Sequence, residues 1–268
     1  MCDLCETQQS RILPSLTEAV VIANEMITGK VGLMVLRAPA VAATVEPGQF
    51  VHLRVAKGRN FLLRRPFSVY RAFDETIHIL YQVVGIGTSE MAEAKEGAKM
   101  DLIGPIGRGW KIPEGAKSAL LVAGGVGAAP LAMLAERLSK NGVSVSVALG
   151  ALTADELYCL DLFRQTAQSV ACCTDDGSTG IEGRVTIAAG EMLSSGAFDV
   201  VYTCGPEVMQ QAVVMLARKA AVPCQVSLER LMACGIGACL SCVVATKDGN
   251  KRACVDGPVF DADEVLWR

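Results

Sequence analysis

Between Glu18 and Gly104 apolar and polar residues alternate with a period close to two, in the short runs EAVVIANEMI, KVGLMVLRA, QFVHLRVA, PFSVYRAF, TIHILYQVV and KMDLIG. β-branched and aromatic residues fill these runs, and Gly, Pro and Asn punctuate them. That pattern predicts a small antiparallel β-barrel, interrupted by one short helix over Ser89–Lys95. The texture changes after GPIGRGWKIPEG, which reads as a linker. Ser118–Ala123 is a continuous apolar run, as expected of a strand covered on both faces. A glycine-rich turn, Gly124–Pro130, leads into a helical pattern over Leu131–Asn141. Strand VSVSVALG, a helical stretch near Asp155–Gln165, strands SVACCT and FDVVYTCG, a helix over Glu207–Lys219 and strand VPCQVSLE follow. Buried strands alternating with helices predict a doubly wound parallel sheet. The segment from Arg230 onward is too short for a core of its own, and a metal is the usual staple for so small a unit. The predicted division is a polar leader at 1–16, a β-barrel domain at 17–112, an α/β domain at 113–229 and a small module at 230–268.

Composition narrows the chemistry. The chain has 268 residues, 51% of them hydrophobic, which is ample core material for two domains. No apolar run approaches the ~18 residues of a membrane span. The start, MCDLCETQQS, has neither a basic nor an apolar region, so no secretory signal is expected. Its 25 basic and 28 acidic residues are intermixed at a net charge of −3. That pattern gives no electrostatic case for nucleic acid or for an anionic membrane. Eleven cysteines is a high and odd number. In a cytoplasmic chain, the expectation here, clustered cysteines bind metal or do redox work rather than form disulfides. The two histidines, His52 and His78, fall on alternating runs and read as barrel-face side chains, so histidine-based zinc chemistry is not expected.

The sharpest signal is near the C-terminus, where Cys234-GIGA-Cys239-LS-Cys242 is followed after eleven residues by Cys254. This C-x4-C-x2-C…C spacing is the plant-type [2Fe–2S] pattern. A loop around a cluster needs thiolates pointing inward and backbone N–H groups donating to sulfur. Small residues between the ligands, here Gly235, Gly237, Ala238 and Ser241, allow both. Structural zinc is the alternative, but it usually pairs two short knuckles, and Cys254 stands alone.

The run Gly124-Gly125-Val126-Gly127-Ala128-Ala129-Pro130 lies between a predicted strand and helix. Glycines there allow the backbone to approach a pyrophosphate at a helix N-terminus. Farther on, Cys204-Gly205-Pro206 ends a strand and opens another helix. Strand C-termini face the ligand crevice in such sheets, which makes Cys204 a candidate catalytic side chain, with packing as the other reading. A nicotinamide moves two electrons as hydride, whereas a [2Fe–2S] cluster moves one. A chain holding both needs a carrier that does both, and a flavin is the common solution. Arg64-Arg65-Pro66-Phe67-Ser68 offers a cation and a hydroxyl at a strand start, and Gly85-Ile86-Gly87-Thr88 precedes a helix N-terminus.

Taken together, these motifs resemble the ferredoxin-reductase superfamily, with its Arg-x-[Tyr/Phe]-Ser flavin motif, glycine-rich nicotinamide loop and Cys-Gly-Pro turn. Within it, SLERLMACGIGACLSCVV…ACVDGPVF, PGQFVHLR, RRPFSVY and LYQVVGIGTSEM are similar to the electron-transfer subunits of NAD-linked dihydroorotate dehydrogenases, from about Ala19 to Phe260. The resemblance implies FAD on Arg65, Pro66, Phe67, Ser68, Leu80, Tyr81, Gln82, Gly87 and Thr88. It implies NAD(H) on Gly124, Gly125, Val126, Gly127, Gly205 and Pro206, and the cluster on Cys234, Cys239, Cys242 and Cys254. It further implies an FMN-containing dihydroorotate dehydrogenase catalytic subunit as partner, in a heterotetramer, within pyrimidine biosynthesis. Gln82 departs from the family's usual arginine, and the leader with Cys2 and Cys5 precedes its usual start. Other expectations compatible with the residues are the small subunit of a ferredoxin-dependent transhydrogenase and, from a different class, a non-catalytic zinc-stapled regulator. Transhydrogenase subunits tend to lack the first cluster cysteine, present here as Cys234. The reductase of an aromatic-ring oxygenase carries a full ferredoxin domain, longer than the segment after Arg230.

Overall fold

A computed structural model describes residues 14–55 and 62–267. Cys2 and Cys5 lie outside the described residues. Strands β1 (Ser15–Met26), β2 (Val31–Arg37), β3 (Phe50–Leu53), β4 (Arg65–Ser68), β5 (Arg71–Phe73), β6 (Thr76–Gln82) and β7 (Lys99–Ile106) form one antiparallel sheet. Their order is β4-β3-β7-β1-β2-β6-β5. The sheet curls until β4 meets β6, making a half-barrel around Val21, Met34, Leu53, Ile77, Ile79 and Leu102. The run PFSVYRAF breaks at Val69–Tyr70 into β4 and β5, so it serves opposite ends of that row. Short helix α1 (Pro39–Ala42) covers one end of the sheet. Helix α2 spans Ile86–Ala92, three residues earlier than the sequence pattern predicts. The cause is Thr88, whose hydroxyl accepts from the N–H groups of Val84 and Gly85 and closes the first turn ahead of Ser89.

The second sheet carries β8 (Ser118–Gly124), β9 (Ser144–Ala151), β10 (Ser169–Thr174), β11 (Ile181–Glu182), β12 (Val200–Cys204) and β13 (Cys224–Ser227), all parallel. Helices α3 (Ala129–Lys140), α4 (Leu160–Thr166), α5 (Thr186–Ser195) and α6 (Glu207–Lys219) cover its faces. Helix α5 has no counterpart in the sequence reading. Thr186, Ile187, Gly190 and Ser194 are weak helix formers, and what holds the segment is burial of Ala188, Ala189 and Leu193 in a core shared with Val213 and Ala217 of α6. The predicted helix near Asp155–Gln165 is two pieces. A 3-10 turn at Ala154–Glu156 is separated from α4 by Cys159, which sits at φ 65°.

The junctions between these parts are closely packed. The linker is no loose tether: β7 runs on to Ile106, and Trp110 is buried in the nucleotide half. There Trp110 Nε1 donates to the Pro130 carbonyl at 2.9 Å and its ring meets Tyr202 edge-on at 5.5 Å. Ion pairs Arg71–Glu136 and Arg137–Glu46 also join the halves. The C-terminal module, too short for a core of its own, packs on both sheets. Its hairpin β14 (Val243–Thr246) and β15 (Gly249–Arg252) stands apart, but β16 (Val259–Asp261) pairs antiparallel with β13 at the edge of the parallel sheet. Phe50 and Ile106 of the half-barrel share a core with Val226, Val244 and Phe260. One packed cluster thus unites all three parts.

Candidate functional site

The order β11-β10-β9-β8-β12-β13 reverses between β8 and β12, so the connections leaving these neighbours depart to opposite sides. A crevice opens at their C-terminal ends, where Ala123 lies opposite Cys204. Beyond β8, Gly125–Ala128 forms a 3-10 turn, and α3 starts at Ala129 with Pro130 in its first turn. The predicted turn therefore winds into the helix two residues early. Gly127 is demanded by closeness: a Cβ there would lie 2.6 Å from the Cys204 carbonyl oxygen and from Gly205 Cα. The two loops thereby form one wall of a cleft of about 810 Å3, within the range of small-molecule sites. Gly124, Gly125, Val126, Gly127, Gly205 and Pro206 all line it.

Cys204 does not line the cleft; its side chain is 3% exposed, in the core with Trp110 and Tyr202. Burial first, then nearby Glu229, pushes its thiol up to about 12 against the opposing pull of the Ser227 side chain and the Gly205 backbone. Of the two readings of Cys204, its surroundings favour packing: the thiol lies behind the turn that Gly205 and Pro206 present.

The far end of the cleft holds residues the sequence did not single out. Glu156, in the 3-10 turn after β9, and Asp175, directly after β10, line it together with Arg184. Glu156, in the stretch after β9, is at the wall, and Arg184 brings a cation from before α5. Two carboxylates near one guanidinium still weigh against a 2′-phosphate. The kcat/KM for NADH should exceed that for NADPH by on the order of tenfold or more, tenfold being about 1.4 kcal/mol. A preference for NADPH would mean that Arg184 pairs with the phosphate.

On the half-barrel, β4 places Arg65, Pro66, Phe67 and Ser68 opposite Phe50–Leu53. Arg64 is tied to Asp101 at 2.6 Å, whereas the guanidinium of exposed Arg65 donates only to the neighbouring carbonyls of Leu63 and Arg64 among the described residues. Of the two, Arg65 is the cation available to an anionic group. Thr88 spends its hydroxyl on the α2 turn, leaving the first-turn N–H groups near Gly87 for an outside acceptor. Leu80 and Tyr81 offer less than expected. The Tyr81 ring lies over Gly32 inside the half-barrel with its hydroxyl on Asn24, and Leu80 is buried against Val31, Ala129 and Tyr158, so each has its backbone to give. Gln82, next on β6, faces outward and lines the nucleotide cleft. Val84 and Ile86 beside it are 77% and 74% exposed, an apolar surface suited to a flat ring system. The residues fit FAD set between barrel and cleft. Arg65→Ala should weaken FAD retention through loss of a charge-assisted contact of about 1.5–3 kcal/mol, roughly ten- to a hundredfold in Kd by flavin-fluorescence titration. Unchanged retention would remove Arg65 from the site.

The four module cysteines gather in two pairs. The N–H groups of Ile236 and Cys239 donate to Cys234 Sγ at 3.5 and 3.4 Å. Burial pulls the Cys234 thiol upward, but these N–H groups, with the Cys239 side chain and the Ala238 backbone, outweigh it and bring it down to about 7. Buried Cys242 and Cys254 stand with their sulfurs 3.3 Å apart, and Cys254 N–H donates to Cys242 Sγ. Burial, then the neighbouring Cys242, pushes Cys254 up to about 12, so ionisation there awaits a cation. Arg252 braces the loop by donating to the Gly237 carbonyl at 3.1 Å while its own N–H is held by Asp256. Among the described residues no three His, Cys, Asp or Glu converge on a single ion. Two cysteine pairs with N–H groups aimed at sulfur fit a binuclear cluster, whose four thiolates are shared between two irons. His52, read from sequence as a barrel-face residue, lies against this loop. Burial, then the Arg64 guanidinium, holds its pKa below the ordinary value, while the backbone of Arg64 and of Cys234 opposes the shift.

Comparison with known proteins bears on the same segments. Residues 229–266 match the family described as the iron-sulfur cluster binding domain of dihydroorotate dehydrogenase B, and residues 121–215 match the oxidoreductase NAD-binding domain. The dihydroorotate dehydrogenase B (NAD(+)) electron transfer subunit of Desulforamulus reducens is 37% identical over 93% of this chain and 98% of its own length. The subunit of the same name from Caldanaerobacter subterraneus subsp. tengcongensis is 43% identical over 83% of this chain and 87% of its own. Among solved structures, an NADH-dependent reduced ferredoxin-NADP oxidoreductase, described for flavin-based electron bifurcation, superimposes with a TM-score of 0.85. It is 32% identical, over 97% of this chain and 92% of that one.

Proposed function

This chain belongs to the family of dihydroorotate dehydrogenase B electron transfer subunits, and from that premise we propose that it relays electrons between NAD(H) and an FMN-containing catalytic subunit that oxidises dihydroorotate, in a heterotetramer serving pyrimidine biosynthesis. The observation that carries this reading is the packing of three sites on one core: the β8–β12 cleft, the β4–α2 surface and the cysteine module. NAD(H) supplies two electrons as hydride, FAD converts between paired and single electrons, and the cluster carries them singly. The chain's own residues arrange that chemistry. Gly124–Gly127 and Gly205–Pro206 receive the dinucleotide, and Gln82 stands where the cleft meets the flavin surface. Arg65 and the turn at Gly87–Thr88 hold the FAD diphosphate, while Pro66, Phe67 and Ser68 line the flavin with the backbone of Leu80 and Tyr81. Cys234, Cys239, Cys242 and Cys254 hold the cluster.

We assign 17–112 to FAD, 113–229 to NAD and 230–268 to the cluster, and infer a cytoplasmic setting from the thiol-rich composition. No helix among the described residues is long and apolar enough to cross a membrane. The test is a visible spectrum of the anaerobically purified chain, which should show flavin and cluster absorption that NADH bleaches. A colourless, zinc-containing chain would refute the reading in favour of a zinc-stapled regulator. The likeness to the ferredoxin-NADP oxidoreductase supports a second reading, in which the partner is of the transhydrogenase type. Identifying the subunit that co-purifies from the native host separates the two.

A further inference from the structure

Gly235 follows the first cluster cysteine and sits in the left-handed region at φ 70°. A Cβ built there would lie 2.5 Å from His52 Nδ1, so the imidazole is seated directly against the cluster loop and leaves no room for a side chain. His52 belongs to the other half of the molecule. On β3 it stands opposite Pro66 of the flavin strand β4 and opposite Ile103 of β7. The residue therefore lies between the strand assigned to the flavin and the loop assigned to the cluster. The residue is 1% exposed, and its ring nitrogens face the backbone of Arg64 and of Cys234 without making a hydrogen bond of good geometry to either.

An imidazole carries at least one N–H in either charge state. A buried donor whose hydrogen bonds are poorly made is costly, and native folds rarely keep one without a use for it. The neighbouring loop carries Cys234, whose sulfur already collects N–H donors from Ile236 and Cys239. Cluster sulfur is an anionic acceptor, and donors around it stabilise the extra negative charge of the reduced form.

We propose that His52 is a positioning residue of the electron path, donating a ring N–H to sulfur on the Cys234 side of the cluster and thereby seating the cluster on the flavin half and raising its reduction potential. This rests on the assignment of the cluster to Cys234, Cys239, Cys242 and Cys254. It also accounts for Gly235, since any larger residue would push the loop off the ring.

The experiment exploits the chain's having only two histidines. The full chain is labelled with 15N-histidine, purified anaerobically, assayed for iron and sulfide, reduced, and examined by pulsed EPR. A 15N hyperfine coupling to the reduced cluster is expected in the unaltered chain, retained in His78→Gln and absent in His52→Leu. His52→Leu should also shift the one-electron equilibrium against reduction by about three- to tenfold, tenfold being 59 mV. His52→Gln, which keeps an N–H donor, should recover part of that shift. A full complement of iron and sulfide with no histidine coupling in the unaltered chain overturns the role of His52. A chain without iron and sulfide removes the cluster assignment and this proposal with it.

Discussion

Cys239→Ser should lower bound iron from about two atoms per chain, the complement of a [2Fe–2S] centre, to almost none while the chain stays folded. The two effects separate because Cys239 is exposed, so its sulfur contributes little to the core and its loss is felt as a missing ligand. Cys242→Ser makes the contrast. Cys242 is buried with Val226, Leu228 and Val244, and a hydroxyl placed there without a partner costs about 1–3 kcal/mol in addition to the lost iron. Iron and acid-labile sulfide assays, set beside thermal melts followed by circular dichroism, check both. Full iron content in Cys239→Ser would mean that another group ligates the cluster. Zinc with no sulfide in the unaltered chain would end the iron–sulfur assignment.

The second large effect is a gain. The chain by itself should reduce artificial acceptors with NADH and leave dihydroorotate untouched; adding a dihydroorotate-oxidising flavoprotein subunit should create NAD-dependent dihydroorotate oxidation. Docking of that subunit is expected on the module. Leu231, Ile236 and Leu240 are 88%, 56% and 63% exposed around the cluster loop, side chains that a stable complex of roughly 1,600 Å2 would cover. Leu231→Asp should weaken reconstitution at least tenfold, about 1.4 kcal/mol, with the NADH-to-acceptor rate kept. Titrating the partner against NADH formation measures it. Reconstitution with a ferredoxin- or NADPH-linked partner instead would leave the cofactor sites in place and move the substrate.

Local patterns were enough for much of this protein. Period-two alternation marked the half-barrel strands and continuous apolar runs the parallel ones, because an element's face pattern is set by its own side chains and the face it must bury. The cysteine spacing and the glycine turns were legible for the same reason: ligand spacing and backbone freedom are properties of a few consecutive residues. What only the tertiary structure decided depends on which distant segments meet. Helix α5 is built from weak helix formers and is held by contacts with α6, which no local window contains. Trp110 looked like linker and is a bolt between halves, since its partners Pro130 and Tyr202 lie far along the chain. Cys204 looked like a site residue, and its burial took it out of the cleft, while Asp175 and Arg184 entered it from loops without a motif. His52 shows the same limit most sharply. Its alternation placed it on a strand, but only the fold brings that strand under Gly235, where the space left by a missing side chain gives a buried imidazole its neighbour.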